Sequence, residues 1–205
     1  MNKNLFVKIG IAVVAIAVFA FLFMRSIEDT RSEAYSVPRA HLQAGTLALV
    51  PASRPNDPLL VLRPSPDLAS GLFRQIFARA MESLNSPGEP VIPLVLRGEF
   101  DRAVGDRLTQ DALLAAARSS GLEGALPSPR CIVHRRISEP GGVRQAFLVL
   151  FDSPAIAEFR KQIGVDPAAL SPVMFVAGAG TDFNSWLPLR IDPEADCLAP
   201  IAIAP

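Results

Sequence analysis

The chain has 205 residues, half of them hydrophobic, and its 20 Lys+Arg balance 20 Asp+Glu to a formal net charge of zero. That apolar content supplies the core of one domain, and a balanced charge gives no general attraction for polyanions, which excludes a dedicated nucleic-acid binder. Nineteen prolines lie between apolar runs and read as punctuation between strands and helices rather than as one disordered tract.

Leu5 to Met24 is apolar except for Lys8 and Gly10. As a helix this twenty-residue run would be about 30 Å long, the hydrocarbon thickness of a bilayer, with Lys8 near enough to its start to snorkel to the interface. A cleaved signal peptide shares the basic start but ends in a small-x-small site; here the run ends Phe21-Leu22-Phe23-Met24-Arg25. The expectation is an uncleaved N-terminal transmembrane anchor over residues 1–25, with the bilayer as its partner and the following domain on the extracytoplasmic side of the plasma membrane. Residues 26–44, polar and mixed in charge, read as a stalk, and 45–205 as an α+β globular domain.

Within that domain Thr46–Val50 and Leu59–Arg63 are short apolar runs bounded by prolines and read as strands. Ser65-Pro66-Asp67 has a hydroxyl cap, a proline at the first helical position and an acid in the first turn. From there Leu72, Phe73, Ile76, Phe77, Ala80 and Leu84 recur at helical spacing, predicting a helix to about Asn85. Val91–Phe100 reads as a strand and Thr109–Ser119 as a second helix. Cys131–Ile137 and Gln145–Phe151 read as a hairpin across Pro140-Gly141-Gly142. Ser153–Ile163 is a third helix, Val173–Ala177 a strand and Leu187–Ile191 a possible last one.

The chain echoes itself. Leu60-Val61-Leu62-Arg63-Pro64-Ser65-Pro66 is matched by Leu148-Val149-Leu150-Phe151-Asp152-Ser153-Pro154, and each run opens a helix that carries Phe-Arg (Phe73-Arg74, Phe159-Arg160). Each helix leads to a strand preceded or entered by proline, Ile92-Pro93-Leu94-Val95-Leu96 and Pro172-Val173-Met174-Phe175. Two strand–helix–strand units related by duplication are expected.

This order, from Thr46 to Gly180, resembles the two-histidine phosphoesterases, the LigT-like cyclic phosphodiesterases, whose two lobes each send a His-x-Thr or His-x-Ser strand into a shared central cleft. The frames Pro93-Leu94-Val95-Leu96-Arg97-Gly98-Glu99-Phe100 and Pro172-Val173-Met174-Phe175-Val176-Ala177-Gly178 carry the resemblance. The resemblance implies duplicated lobes around a cleft. It also locates a departure: Leu94 and Val173 stand at the histidine positions, Leu96 and Phe175 at the hydroxyl positions. Imidazoles can exchange protons near neutral pH and hydroxyls can hold phosphate oxygens; hydrocarbon can do neither. Because strand side chains alternate, Leu94 with Leu96, and Val173 with Phe175, are expected to line an apolar cleft, filled by core packing or open to an apolar ligand or a partner's side chain.

The remaining candidates are sparse. Cys131 and Cys197 either form a disulfide, closing a loop worth about 4 kcal/mol in the chain-entropy model, or are two buried thiols. Arg135, Arg136 and Arg144 form a small basic patch on the hairpin, a solvated face or an anion site. His41 and His134 are the only histidines, and neither has Cys or carboxylate at ligand spacing, so no metal is expected. No cofactor motif is present. The function expected is a non-catalytic, phosphoesterase-like binding or structural module of the cell envelope. The alternative is a hydrolase with relocated catalytic groups, His134 and Asp182 among them.

Overall fold

The computed structural model describes residues 13–22, 33–80, 82–124 and 127–205. Two compact units are present, Met1–Glu33 and Ala34–Pro205. In the first, residues 13–22 are helical. Ten residues rise about 15 Å, half a bilayer's hydrocarbon thickness, and among the described residues no helix is long and apolar enough to cross a membrane. The expected transmembrane helix over Leu5–Met24 is corrected on that finding; the rest of that run lies outside the described residues, as does Arg25.

The second unit is α+β, with a three-stranded and a five-stranded sheet. Its strands are β1 (Tyr35–Pro38), β2 (Thr46–Leu49), β3 (Pro58–Arg63), β4 (Ile92–Leu96), β5 (Ser128–Glu139), β6 (Gly142–Asp152), β7 (Val173–Ala179) and β8 (Cys197–Ala204). The small sheet has the order β2-β3-β4 and is antiparallel. The large sheet has the order β1-β8-β5-β6-β7, mixed because β1 runs parallel to β8. Three helices matter to the packing: α1 (Pro66–Ala80), α2 (Gln110–Ser119) and α3 (Pro154–Gln162).

The helices form where local chemistry favours them. Thr109 Oγ1 accepts the Ala112 N–H at 3.2 Å and Ser153 Oγ the Ile156 N–H at 3.4 Å, each meeting one of the orphan donors of a helix start. Leu68, Leu72 and Ile76 give α1 one buried stripe, and Ile156 and Phe159 do the same for α3. The described part of α1 runs to Ala80; Asn85, the expected end of the helix, is instead drawn into a two-way backbone bridge with Gly178, at 2.7 and 2.9 Å. β4 ends at Leu96 rather than Phe100, since the Glu99 carboxylate captures the Leu96 N–H at 2.9 Å and the chain turns helical from Arg97.

Two segments depart further from expectation. Part of the presumed stalk is an edge strand: β1 pairs with β8 from Tyr35↔Ile201 to Pro38↔Ala204, burying Tyr35 and Val37. Gln75 of α1 brackets its outer edge, accepting the Ser36 N–H at 2.9 Å and donating to the Ser36 carbonyl at 2.7 Å. The side-chain amide thus supplies the pairing that a further strand would otherwise provide. The last strand is Cys197–Ala204, not Leu187–Ile191, which forms no strand.

Both strand–helix–strand units are present, β3–α1–β4 and β6–α3–β7, each with its two strands antiparallel neighbours. They belong to sheets of unequal size, and β4 packs beside β7 with all four implied motif positions buried. The expectation of duplicated lobes around a central cleft is corrected accordingly. The seam is closed by side chains that gain nothing from hydration, and by Arg160 of α3, only 1% exposed. Its guanidinium donates to the Leu94 carbonyl at 2.7 Å, to the Asp166 carbonyl at 2.8 Å and to both Glu99 oxygens at 3.1 and 2.6 Å. Where one sheet stops and the other begins, a buried ion pair satisfies backbone that no ladder reaches.

Candidate functional site: a polar-rimmed groove beside Phe175

The four positions where the resemblance implies catalytic groups are all buried. Leu96, Val173 and Phe175 share one apolar cluster with Leu148, Trp186 and Leu187, while Leu94 lies in the larger core with Leu60, Val95 and Met174. Strict alternation would have kept Leu94 with Leu96. The β3–β4 pairing slips on either side of Leu60, so the two ends of β4 serve different clusters. Phe175, of the four, lines a surface groove.

Cys131 and Cys197 form a disulfide, their Cα atoms 5.7 Å apart. It ties β5 to β8, which are otherwise paired only from Cys131↔Pro200 to Val133↔Cys197. The three hairpin arginines do not converge. Arg135 and Arg144 project to one face of the sheet and Arg136 to the other, as the register Arg136↔Gln145 and Ile137↔Arg144 dictates. Arg135 is paired with Asp196 at 2.7 Å; Arg144 donates to Ser185 Oγ at 3.0 Å and lies over the Trp186 ring.

His134 stacks flat on Phe147 with centroids 4.2 Å apart, and its Nε2 meets Gln145 Oε1 at 3.1 Å. The buried Gln145 amide in turn donates to Glu82. Since that amide's nitrogen is committed to Glu82, its oxygen must accept and His134 Nε2 must donate. Phe147 belongs to the larger core, whereas Asp182 stands in the loop that packs Phe183 and Trp186 against the smaller cluster. The sheet therefore lies between His134 and Asp182. His41 sits in a short 3-10 turn, Arg39–His41. Among the described residues no three His, Cys, Asp or Glu side chains are grouped to hold a metal ion.

Polar side chains converge instead at the groove where the chain diverges from β7 after the Asn85–Gly178 bridge. The groove encloses about 270 Å³. Phe175, Phe183 and Val91 form its apolar wall; Glu89, Asp182 and Asn184 its polar rim. The two rings meet at 5.5 Å in a tilted arrangement. Asp57, nearly buried, organises the loops behind it. It accepts the Ser53 and Arg54 N–H groups at 3.1 and 2.8 Å, the Arg54 Nε at 3.1 Å and the Asn184 amide at 3.1 Å. Burial by itself would raise the Asp57 pKa, but the bonds from Arg54, Ser53 and Asn184 outweigh it and hold the carboxyl at about 2. Arg54 also pairs with Asp182 at 2.7 Å, locking the 53–57 loop to the 181–186 loop. The apolar run Pro172–Gly178 and the Asp182–Trp186 tail were legible in the sequence. Arg54, Asp57 and Glu89 were not, because isolated polar residues in loops carry no periodic signal.

Comparison with family models, with curated proteins and with solved structures found no match.

Proposed function

We propose that Ala34–Pro205 is a non-catalytic binding module that works outside the cytoplasm through the groove beside Phe175. The observation that carries this reading is the fate of the four positions singled out by the two-histidine-phosphoesterase resemblance. They hold buried leucine, valine and phenylalanine in packed clusters, and the adjoining concavity is lined by hydrocarbon and by acceptors rather than by a nucleophile and its base. The Cys131–Cys197 disulfide supports an oxidising compartment. The test is to offer the purified chain 2′,3′-cyclic nucleotides, the substrates that the resemblance implies. No turnover is expected; turnover that His134→Ala or Asp182→Asn abolishes would overturn the reading.

A further inference from the structure

We infer that the groove takes a neutral pyranose ring, either a free sugar or the end unit of a glycan; the inference rests on the binding-module reading above. Three features of the groove lead there. The first is charge. Both carboxylates on the rim have their own arginine: Asp182 is held by Arg54 at 2.7 Å and Glu89 by Arg63 at 3.2 Å. An organic cation would have to compete with an existing ion pair, and an anion would face two carboxylates. A neutral ligand disturbs neither, because an ionised carboxylate offers about four acceptor positions and these pairs use only some of them.

The second feature is rigidity. Asp182 Oδ1 accepts the Asn184 N–H at 3.1 Å, and the Asn184 side-chain nitrogen donates to Asp57 Oδ1 at 3.1 Å. The amide's orientation is thereby set, with its oxygen left as an acceptor, and a rim fixed before binding loses little entropy on holding hydroxyl donors. The third is the wall. Phe175, Phe183 and Val91 give an apolar surface suited to the C–H face of a sugar ring, and about 270 Å³ lies just below the range for drug-sized ligands, so one ring is the unit that fits.

The ¹⁵N-labelled full chain would be titrated with the methyl glycosides of glucose, galactose, mannose and N-acetylglucosamine, and with n-butylammonium chloride and sodium phosphate as ionic probes. At least one glycoside is expected to shift the amides of Val91, Asp182, Phe183 and Asn184 saturably at millimolar concentration. Phe183→Ala is expected to weaken that binding at least tenfold. Glu89→Gln, which alters an exposed rim side chain and not the core, is expected to weaken it several-fold with spectral changes confined to the surroundings of Glu89 and its partner Arg63, and His134→Ala to leave it unaltered. Saturable shifts of these amides by an ionic probe and by no glycoside would overturn the sugar assignment while leaving a binding groove. If no probe shifts them saturably, the assignment and the binding-module reading both fall.

Discussion

Replacing Arg160 by methionine tests the seam between the two sheets. Methionine fills much of the same volume but removes four hydrogen bonds: two to Glu99 and one each to the Leu94 and Asp166 carbonyls. Removing one partner of a buried pair strands the other's charge, at about 3–5 kcal/mol, and each carbonyl left dry adds about 1–3 kcal/mol unless water reaches it. These terms are not additive, and a total of about 4–6 kcal/mol would take much of a typical domain's 5–15 kcal/mol. Glu99→Leu alone strands Arg160 and leaves the Leu96 N–H unsatisfied. The double variant Arg160→Met/Glu99→Leu leaves no unpaired charge buried at the seam, so it should be more stable than the sum of the single losses by at least about 2 kcal/mol. Trp186, the only tryptophan and nearly buried, reports unfolding in urea by its fluorescence. A loss under about 1 kcal/mol for Arg160→Met, or single losses that simply add in the double variant, would refute the account of the seam.

Three other outcomes follow from the geometry. Cys131→Ala/Cys197→Ala opens a loop spanning 66 residues and should cost about 4 kcal/mol in the chain-entropy model. In hydrogen exchange β8 and β1 should then open before β6, because β1 pairs with β8 alone; uniform loss of protection would contradict this. Asp57 has a folded pKa of about 2, below its unfolded value near 4. Its stabilising contribution is therefore complete above pH 4 and disappears as the pH falls toward 2, and Asp57→Asn should flatten the acid limb of a stability–pH curve. An unchanged limb would remove Asp57 as its source. Gly178→Ala places a Cβ 2.8 Å from the Phe183 ring and 2.9 Å from the Gln145 carbonyl. It should cost about 1–3 kcal/mol by overpacking and displace Phe183 in the groove, which the ¹⁵N spectrum of residues 181–186 would show.

What the sequence alone determined was local. The periodicity of Leu72 and Ile76, the Ser-Pro starts of α1 and α3, and the apolar runs at Leu60, Ile92, Leu148 and Val173 follow from neighbours along the chain, so the α+β class and the strand–helix–strand order were readable. Tertiary structure decided whatever depends on residues far apart. Tyr35–Pro38 is too short to announce a strand, and pairs only because β8 and Gln75 supply partners from more than thirty residues away. Leu94 and Leu96 share a face by alternation yet serve different clusters, because the ladder skips Leu59 on β3 and then Leu94 on β4, a register set only when the two strands pair. Arg160 looks in sequence like any solvated arginine near a helix end. It is buried because Glu99 and two carbonyls accept four hydrogen bonds from its two terminal nitrogens, leaving only Nε without a partner, and only the folded chain brings them together.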